Sequence, residues 1–168
     1  MDMTVRDEIS TKSPAWNQEN LASNPHEAED KAARVEAMFT SIARKYDLNN
    51  RLHSLWQDQI WRQNAVAIAN IQENDAVLDI ACGTGDLAMA FKRSGVGSVQ
   101  GIDFTQAMLD IAVHKASVAE LEIAYSQGDA MKLDVPDSSA DIVSIAFGIR
   151  NVQDPRKALA EFYRVLRP

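Results

Sequence analysis

The sequence predicts an α/β fold, a parallel sheet with helices on both faces, preceded by a helical segment. Three observations predict it. From Ala76 onward, short apolar stretches alternate with segments of helical period. A glycine cluster, Gly83-Thr84-Gly85, lies between the first of those stretches and the helix that follows. Strands separated by helices require right-handed crossovers, which make neighbouring strands parallel.

The elements follow in order. Residues 1–27 are dominated by Asn, Ser, Pro, Glu and Gln and broken by Pro14 and Pro25. Such a segment cannot bury enough apolar surface to offset its ordering entropy, so a disordered tail is expected. From Ala28 to Tyr46 a helix is expected, with Val35, Met38, Phe39, Ile42 and Tyr46 on one stripe. Asp47 to Arg51 reads as a polar turn, and Ser54 to Ile71 as a second helix. Its large apolar residues, with Leu52, Leu55, Trp56, Ile60 and Trp61 in the region, are expected to be ordinary core rather than a surface for a lipid or a membrane.

Ala76 to Ala81 is a short apolar run interrupted by Asp79, the pattern of a buried parallel strand. A helix follows over Gly85 to Arg93, ended by Gly95 and Gly97. Ser98 to Ile102 is the second strand, closing on Asp103, and Thr105 to Ala119 a helix with Thr105 as N-cap. Glu122 to Ser126 is a third, weaker strand and Asp141 to Phe147 a fourth. The last helix, Pro155 to Leu166, has Asp154 as N-cap and proline at its first position.

Composition narrows the function. The chain has 168 residues, 46% hydrophobic and 24% charged, enough for one ordinary domain. A formal net charge of -7 disfavours docking on nucleic acid. The single cysteine excludes an internal disulfide and fits a reducing cytosol. No run approaches membrane-spanning length, and the acidic N-terminus fits neither a signal nor a transit peptide. His26, His53 and His114 are scattered without ligand spacing, so no metal site is expected.

The glycine loop carries the chemistry. Gly83 and Gly85 let the backbone turn tightly and approach a ligand at a helix N-terminus. A pyrophosphate-binding loop usually has a third glycine, whereas Ala88 stands there, and Asp86 is expected to repel a phosphate. A ligand with a cationic amino-acid end suits the loop better, with Asp79 near its ammonium. Asp103 is placed to accept from both ribose hydroxyls, and Asp129, after the third strand, from an adenine amine. Thr84 is a further donor, compatible with an N-cap role. A nucleoside joined to a cationic amino acid is S-adenosyl-L-methionine, the expected cofactor. A nicotinamide- or nucleotide-binding unit is the alternative.

Three stretches go beyond this motif: Met38 through Asn50, Val77 through Ala88, and Ala146-Phe147-Gly148-Ile149-Arg150-Asn151-Val152 with Arg164-Val165-Leu166-Arg167-Pro168. Over residues 35 to 168 the chain resembles the ubiquinone/menaquinone biosynthesis C-methyltransferase family. That resemblance implies a Rossmann-like class I S-adenosylmethionine-dependent methyltransferase, with a helical lid and substrate region over residues 28–73 and a sheet domain over 74–168. It implies methyl transfer to a ring carbon of a prenylated quinol, demethylmenaquinol first and benzoquinol second. It assigns Arg150, Asn151 and Tyr46 to catalysis, and Asp79, Gly83, Thr84, Gly85, Asp103, Asp129, Ala130 and Ala146 to the cofactor. The family continues past this point with a further strand and a hairpin, so a partial sheet is expected here, from a fragment or a truncated gene product. Asn49, His53, Trp56, Asp58, Asp129, Asp134-Val135 and Ala140 depart from the family pattern, with Asp129 standing where many relatives have Asn, which also accepts a hydrogen bond; the departures bear on substrate fit more than on the cofactor. The partners expected are the quinol, with a peripheral contact at the inner membrane and a homodimer as options, in the cytoplasm and without nucleic acid. Two other readings stay open: a methyltransferase acting on another small phenol, sterol or amine, and a truncated, non-catalytic cofactor-binding protein.

Overall fold

The computed structural model describes residues 31–168; the expected tail, and the start of the first helix at Ala28, lie outside the described residues. The elements are α1 (Lys31–His53), α2 (Gln57–Ile68), β1 (Ala76–Ile80), α3 (Asp86–Arg93), β2 (Ser98–Asp103), α4 (Gln106–Val118), β3 (Ala124–Gln127), β4 (Ile142–Ile145), a 3-10 turn (Gly148–Asn151) and α5 (Pro155–Val165).

The four strands form one sheet in the order β3-β2-β1-β4, and every pairing is parallel. The chain passes from β1 to β2 on one side, while β4 returns to the other side of β1. Strand order therefore reverses beside β1, the place where open α/β sheets bind ligands at their carboxyl ends.

Side chains alternate across β1. Leu78 and Ile80 join Ile102, Ala158, Phe162 and Val165 in a core on the α5 face. Val77 joins Leu87, Ala88, Phe91, Val96 and Val99 on the α3 face. Phe91, 1% exposed, contributes about 1.5–3 kcal/mol through its burial alone. By the same alternation Asp79 shares the α3 face with Val77, so a carboxylate points at the start of α3 instead of into the α5 core.

Two expectations about the helices are corrected. The segment Asp47 to Arg51 is not a turn, and α1 runs through it to His53. Nothing there breaks a helix: no glycine or proline interrupts it, and Leu48 and Asn49 simply face solvent. Asn50, four positions after Tyr46, continues the buried stripe in polar form. The real break comes at Leu55 and Trp56, both with left-handed backbone (φ 50° and 66°). The second helix therefore starts at Gln57, with Trp56 at its N-cap position making no side-chain cap bond, while the Ser54 hydroxyl accepts from Asp58 N at 3.3 Å.

The second correction concerns packing. Leu52, Leu55, Trp56, Ile60 and Trp61 are all exposed, not core. Val66 of α2, with Ala69 and Ile71 just past its end, packs partly buried against the α3-side core, and the buried residue of α2 itself is Asp58. Thr105 occupies the N-cap position of α4 but makes no side-chain cap bond; Asp103 Oδ1 accepts from Thr105 N at 2.9 Å instead. Asp154 caps α5 as expected, accepting from Arg156 N and Lys157 N.

Candidate cofactor and substrate site

Two cavities, about 290 and about 340 Å³, open at the carboxyl end of the sheet. The first lies over the glycine loop and is lined by Asp79, Cys82, Thr84, Asp86, Arg62 and Trp61 among others. The second reaches Asp103, Asp129, Ala130 and Met131 and is roofed by Val35, Met38, Phe39 and Ile42 of α1. Tyr46, Asn50, Ala81, Gly83, Ala146, Phe147 and Arg150 line both, so the cavities meet there.

The loop between β1 and α3 is built for close approach. Ala81, Gly83 and Gly85 all have positive φ (50°, 56° and 80°). A side chain on Gly83 would meet nothing within 4 Å, which leaves open space where a ligand can reach the backbone. On Gly85 it would collide with the Tyr125 hydroxyl, so the turn needs glycine for its conformation and for the room beneath it.

The acids divide their work. Asp79, 1% exposed, accepts a hydrogen bond from Ser144 Oγ at 2.6 Å through Oδ1, while its buried Oδ2 has no hydrogen-bond partner among the described residues. Burial pushes its carboxyl up to about 7, with the Ser144 bond and the Ala88 backbone N–H at the start of α3 opposing the rise. A cationic donor inside the first cavity would satisfy this atom. Asp103 closes β2 and accepts from Gly83 N at 2.7 Å, so it braces the glycine loop as well as facing the second cavity. Its burial raises its carboxyl too, against the backbone bonds that lower it. Asp129 accepts from Met131 N at 2.9 Å and borders the second cavity.

The expected catalytic residues come together. After β4 the backbone turns through Phe147 (φ 62°) into the 3-10 turn, which carries Arg150 and Asn151 at the carboxyl edge of the sheet. Arg150 is exposed at the junction of the cavities and makes no hydrogen bond or ion pair with another described residue. Asn151 lines the second cavity only. Tyr46 lies at the junction from the other side, packed edge-on against Phe39 with ring centroids 5.8 Å apart.

Of the eleven residues expected at the site, ten line the cavities, and Gly85, which ends the loop at the N-cap of α3, lines neither. Sequence reasoning missed Lys115, Arg62, Phe104 and Met131. The electrostatic role expected of Asp86 is also corrected. Its carboxylate is paired with Lys115 Nζ and lies 3.8 Å from Arg62, so its charge is offset and it does not by itself repel a phosphate. A lone lysine late in a helix reads as a solvated charge, and only the fold brings it to the loop. Cys82 is packed beside Gly101, and burial pushes its thiol far up, in keeping with a packing role.

The ubiE/COQ5 methyltransferase family profile matches residues 27–168. The chain is 46% identical over 141 residues to a demethylmenaquinone methyltransferase of Deinococcus radiodurans, covering 83% of this chain and 58% of that protein. To a demethylmenaquinone methyltransferase of Thermus thermophilus it is 48% identical over 132 residues, covering 78% and 60%. The chain thus spans about three-fifths of the length of the curated relatives it matches. The fold is shared with the crystal structure of an S-adenosylmethionine-dependent methyltransferase from Aquifex aeolicus, at TM-score 0.66, 24% identity, and coverage of 77% of this chain and 68% of that one. By its profile match and by these relatives, the chain belongs to the ubiE/COQ5 methyltransferase family.

Proposed function

We propose that the protein transfers a methyl group from S-adenosyl-L-methionine to a ring carbon of a prenylated quinol, demethylmenaquinol first among them. One observation carries the reading: a charged cavity over the glycine loop opens, at Tyr46 and Arg150, into a second cavity roofed by apolar α1 side chains. A cationic amino-acid end fits the first, where Asp79 Oδ2 lacks a donor. The nucleoside fits Asp103 and Asp129. The helix pair α1–α2 is the lid of this reading, and residues 74–168 the sheet domain.

When bound, S-adenosyl-L-methionine supplies an electrophilic methyl group on a sulfonium. The rest is positioning and charge. In-line displacement gains most from holding the two carbons at the right distance and angle. A ring carbon becomes nucleophilic when the neighbouring hydroxyl is deprotonated or polarised, and Arg150 stabilises that oxygen's negative charge. Asn151 orients the quinol oxygen or a water that takes the proton. Tyr46 bonds the quinol from the lid side.

The prenyl tail needs an apolar route. Leu52, Leu55, Trp56 and Ile60 are exposed beside Trp61, which lines the first cavity and touches Phe147 at 5.8 Å between ring centroids. On the outer side of the same helices Lys45 is exposed and Arg51 half-buried, while Asp47, Asp58 and Arg62 are taken up in the enclosed ion pairs. An exposed apolar, tryptophan-bearing surface flanked by Lys45 and Arg51 suits shallow contact with a bilayer, and the inner membrane is the reading for its location. None of the described helices is long and apolar enough to cross a membrane.

The test is direct. The protein is incubated with S-adenosyl-L-methionine and a chemically reduced demethylmenaquinone, and the quinone is recovered for mass and ring-proton spectra. One added ring methyl is expected. Methylation of a simple phenol or sterol with none of the quinol would overturn the substrate, and binding of cofactor without transfer to any acceptor would favour a non-catalytic role.

A further inference from the structure

Three helices converge on one ammonium. Lys115, in the last turn of α4, donates to Asp47 Oδ2 on α1 at 2.6 Å and is paired with Asp86 at the start of α3. Asp47 also accepts from the Thr84 hydroxyl of the glycine loop at 2.5 Å through its other oxygen, and Lys115 Nζ lies 3.4 Å from the same hydroxyl. These side chains are largely enclosed, with Lys115, Asp47 and Asp86 at 21%, 24% and 14% exposure. Arg62 of α2 joins through Asp58 and Asp86. At the other end of α1, Lys31 donates to Val152 O at 2.8 Å, just past the Arg150-Asn151 turn. Between the two attachments lie Val35, Met38, Phe39, Ile42 and Tyr46, the roof of the second cavity.

We propose that Asp47 and Lys115 are positioning residues, which set the lid helix over the site and hold the Thr84 hydroxyl of the glycine loop in one orientation. This rests on the reading of the first cavity as the cofactor's amino-acid end. The Asp47 carboxylate uses one oxygen for the loop and the other for Lys115, so lid position and loop geometry are set by one group. Thr84 then gives its proton to the lid, turns one lone pair towards Lys115 Nζ, and keeps the other for the cavity. Lys115 sits between two carboxylates and reduces their mutual repulsion, which a neutral side chain of similar length cannot do.

The experiment has two arms on the full chain. The first follows hydrogen exchange of α1 amides without ligand in the wild type, Asp47→Ala, Lys115→Met and Lys115→Arg, with Lys157→Ala at an exposed ion pair as control. Exchange over residues 38–50 is expected to speed up on the order of tenfold in Asp47→Ala and Lys115→Met, to return towards wild type in Lys115→Arg, and to stay unchanged in the control. The second measures S-adenosylhomocysteine affinity by calorimetry in Asp47→Ala, Thr84→Val and the double variant. Each single change is expected to weaken binding about fivefold to tenfold, and the double change by much less than the product, because the two groups act as one. A purely structural role would lower the melting temperature without that non-additivity. Unchanged exchange in both charge variants, or fully additive losses of affinity, would overturn the proposal. If the wild type fails to bind S-adenosylhomocysteine, the functional reading falls, and the exchange arm alone decides whether Asp47 and Lys115 hold the lid.

Discussion

Ser144 on β4 donates a 2.6 Å hydrogen bond to Asp79 on β1, directly across the parallel register, and satisfies only one of two buried carboxylate oxygens. The fold thus keeps a carboxyl in an apolar interior with one oxygen lacking a hydrogen-bond partner among the described residues. Such a group destabilises the protein when charged, and the cost is retained where a ligand needs it.

Asp79→Asn tests this through pH. Burial raises the folded carboxyl from the ordinary value of 3.8 to about 7. Below pH of about 4 both folded and unfolded states are protonated and the group costs nothing. As pH rises to about 7 the folded state holds a proton that the unfolded state has released, so stability falls; above that the penalty is constant. The asparagine variant is expected to be more stable than wild type at pH 8 by roughly 1–3 kcal/mol and to lack that pH slope. It should also lose S-adenosylhomocysteine binding. Thermal melts across the pH range and calorimetry check both; a variant less stable at pH 8 with unchanged affinity would contradict the account.

Tyr125 supplies a second test under the glycine loop. Its ring packs on Gly101, its hydroxyl lies beside Gly85, and that oxygen is buried without a hydrogen-bond partner among the described residues. Tyr125→Phe removes an unsatisfied polar atom and is expected to stabilise by about 0.5–1.5 kcal/mol. Gly85→Ala should cost about 2–3 kcal/mol, from the positive φ of 80° and the collision with that hydroxyl. In the double variant part of the cost returns, since the colliding atom is gone. Denaturant melts of the four proteins form the cycle, and strict additivity would rule out the contact.

The order of strands and helices was legible because the period of apolar residues changes sharply at Ala76. The glycine loop, Asp79 and Asp103 were legible because their positions at strand ends follow from that order. The course of α1 was not: Asp47-Leu48-Asn49-Asn50 has turn-like composition, and only its solvated face and the cavity against Tyr46 and Asn50 explain why it stays helical. Leu52, Leu55, Trp56 and Ile60 were read as core because hydrophobicity alone does not say what covers a side chain. Lys115 was illegible for a different reason. Its partners Asp47 and Asp86 are distant in sequence and come from two other helices.

Arg150 separates binding from chemistry. It faces both cavities and has no partner among the described residues, so its removal leaves no buried charge exposed. Arg150→Ala is expected to bind S-adenosylhomocysteine within about twofold of wild type and to lose about 10²–10³ in turnover of the quinol. Arg150→Lys should recover part, since it restores charge without the planar fork. Single-turnover kinetics measure the step, and undiminished turnover in the alanine variant would remove Arg150 from the mechanism.

The far side of the sheet makes a pH prediction of opposite sign. Arg164 grips Glu161 and also donates to Leu133 O at 3.0 Å and Val135 O at 2.8 Å, while Glu161 accepts from Leu133 N at 2.8 Å. Together they pin the long connection between β3 and β4 onto α5. The Arg164 bond is the largest influence on Glu161 and holds its carboxyl down at about 2, against an ordinary 4.5. A depressed carboxyl stabilises the fold above its unfolded value and gives that up as pH falls. Stability should therefore decline between pH of about 4.5 and 2, and Glu161→Gln should flatten that decline. Because both side chains are partly solvated, the variant is expected to lose only about 1 kcal/mol at neutral pH. Acid titration monitored by circular dichroism reads the slope, and an equally steep acid limb in Glu161→Gln would place the loss at other carboxylates.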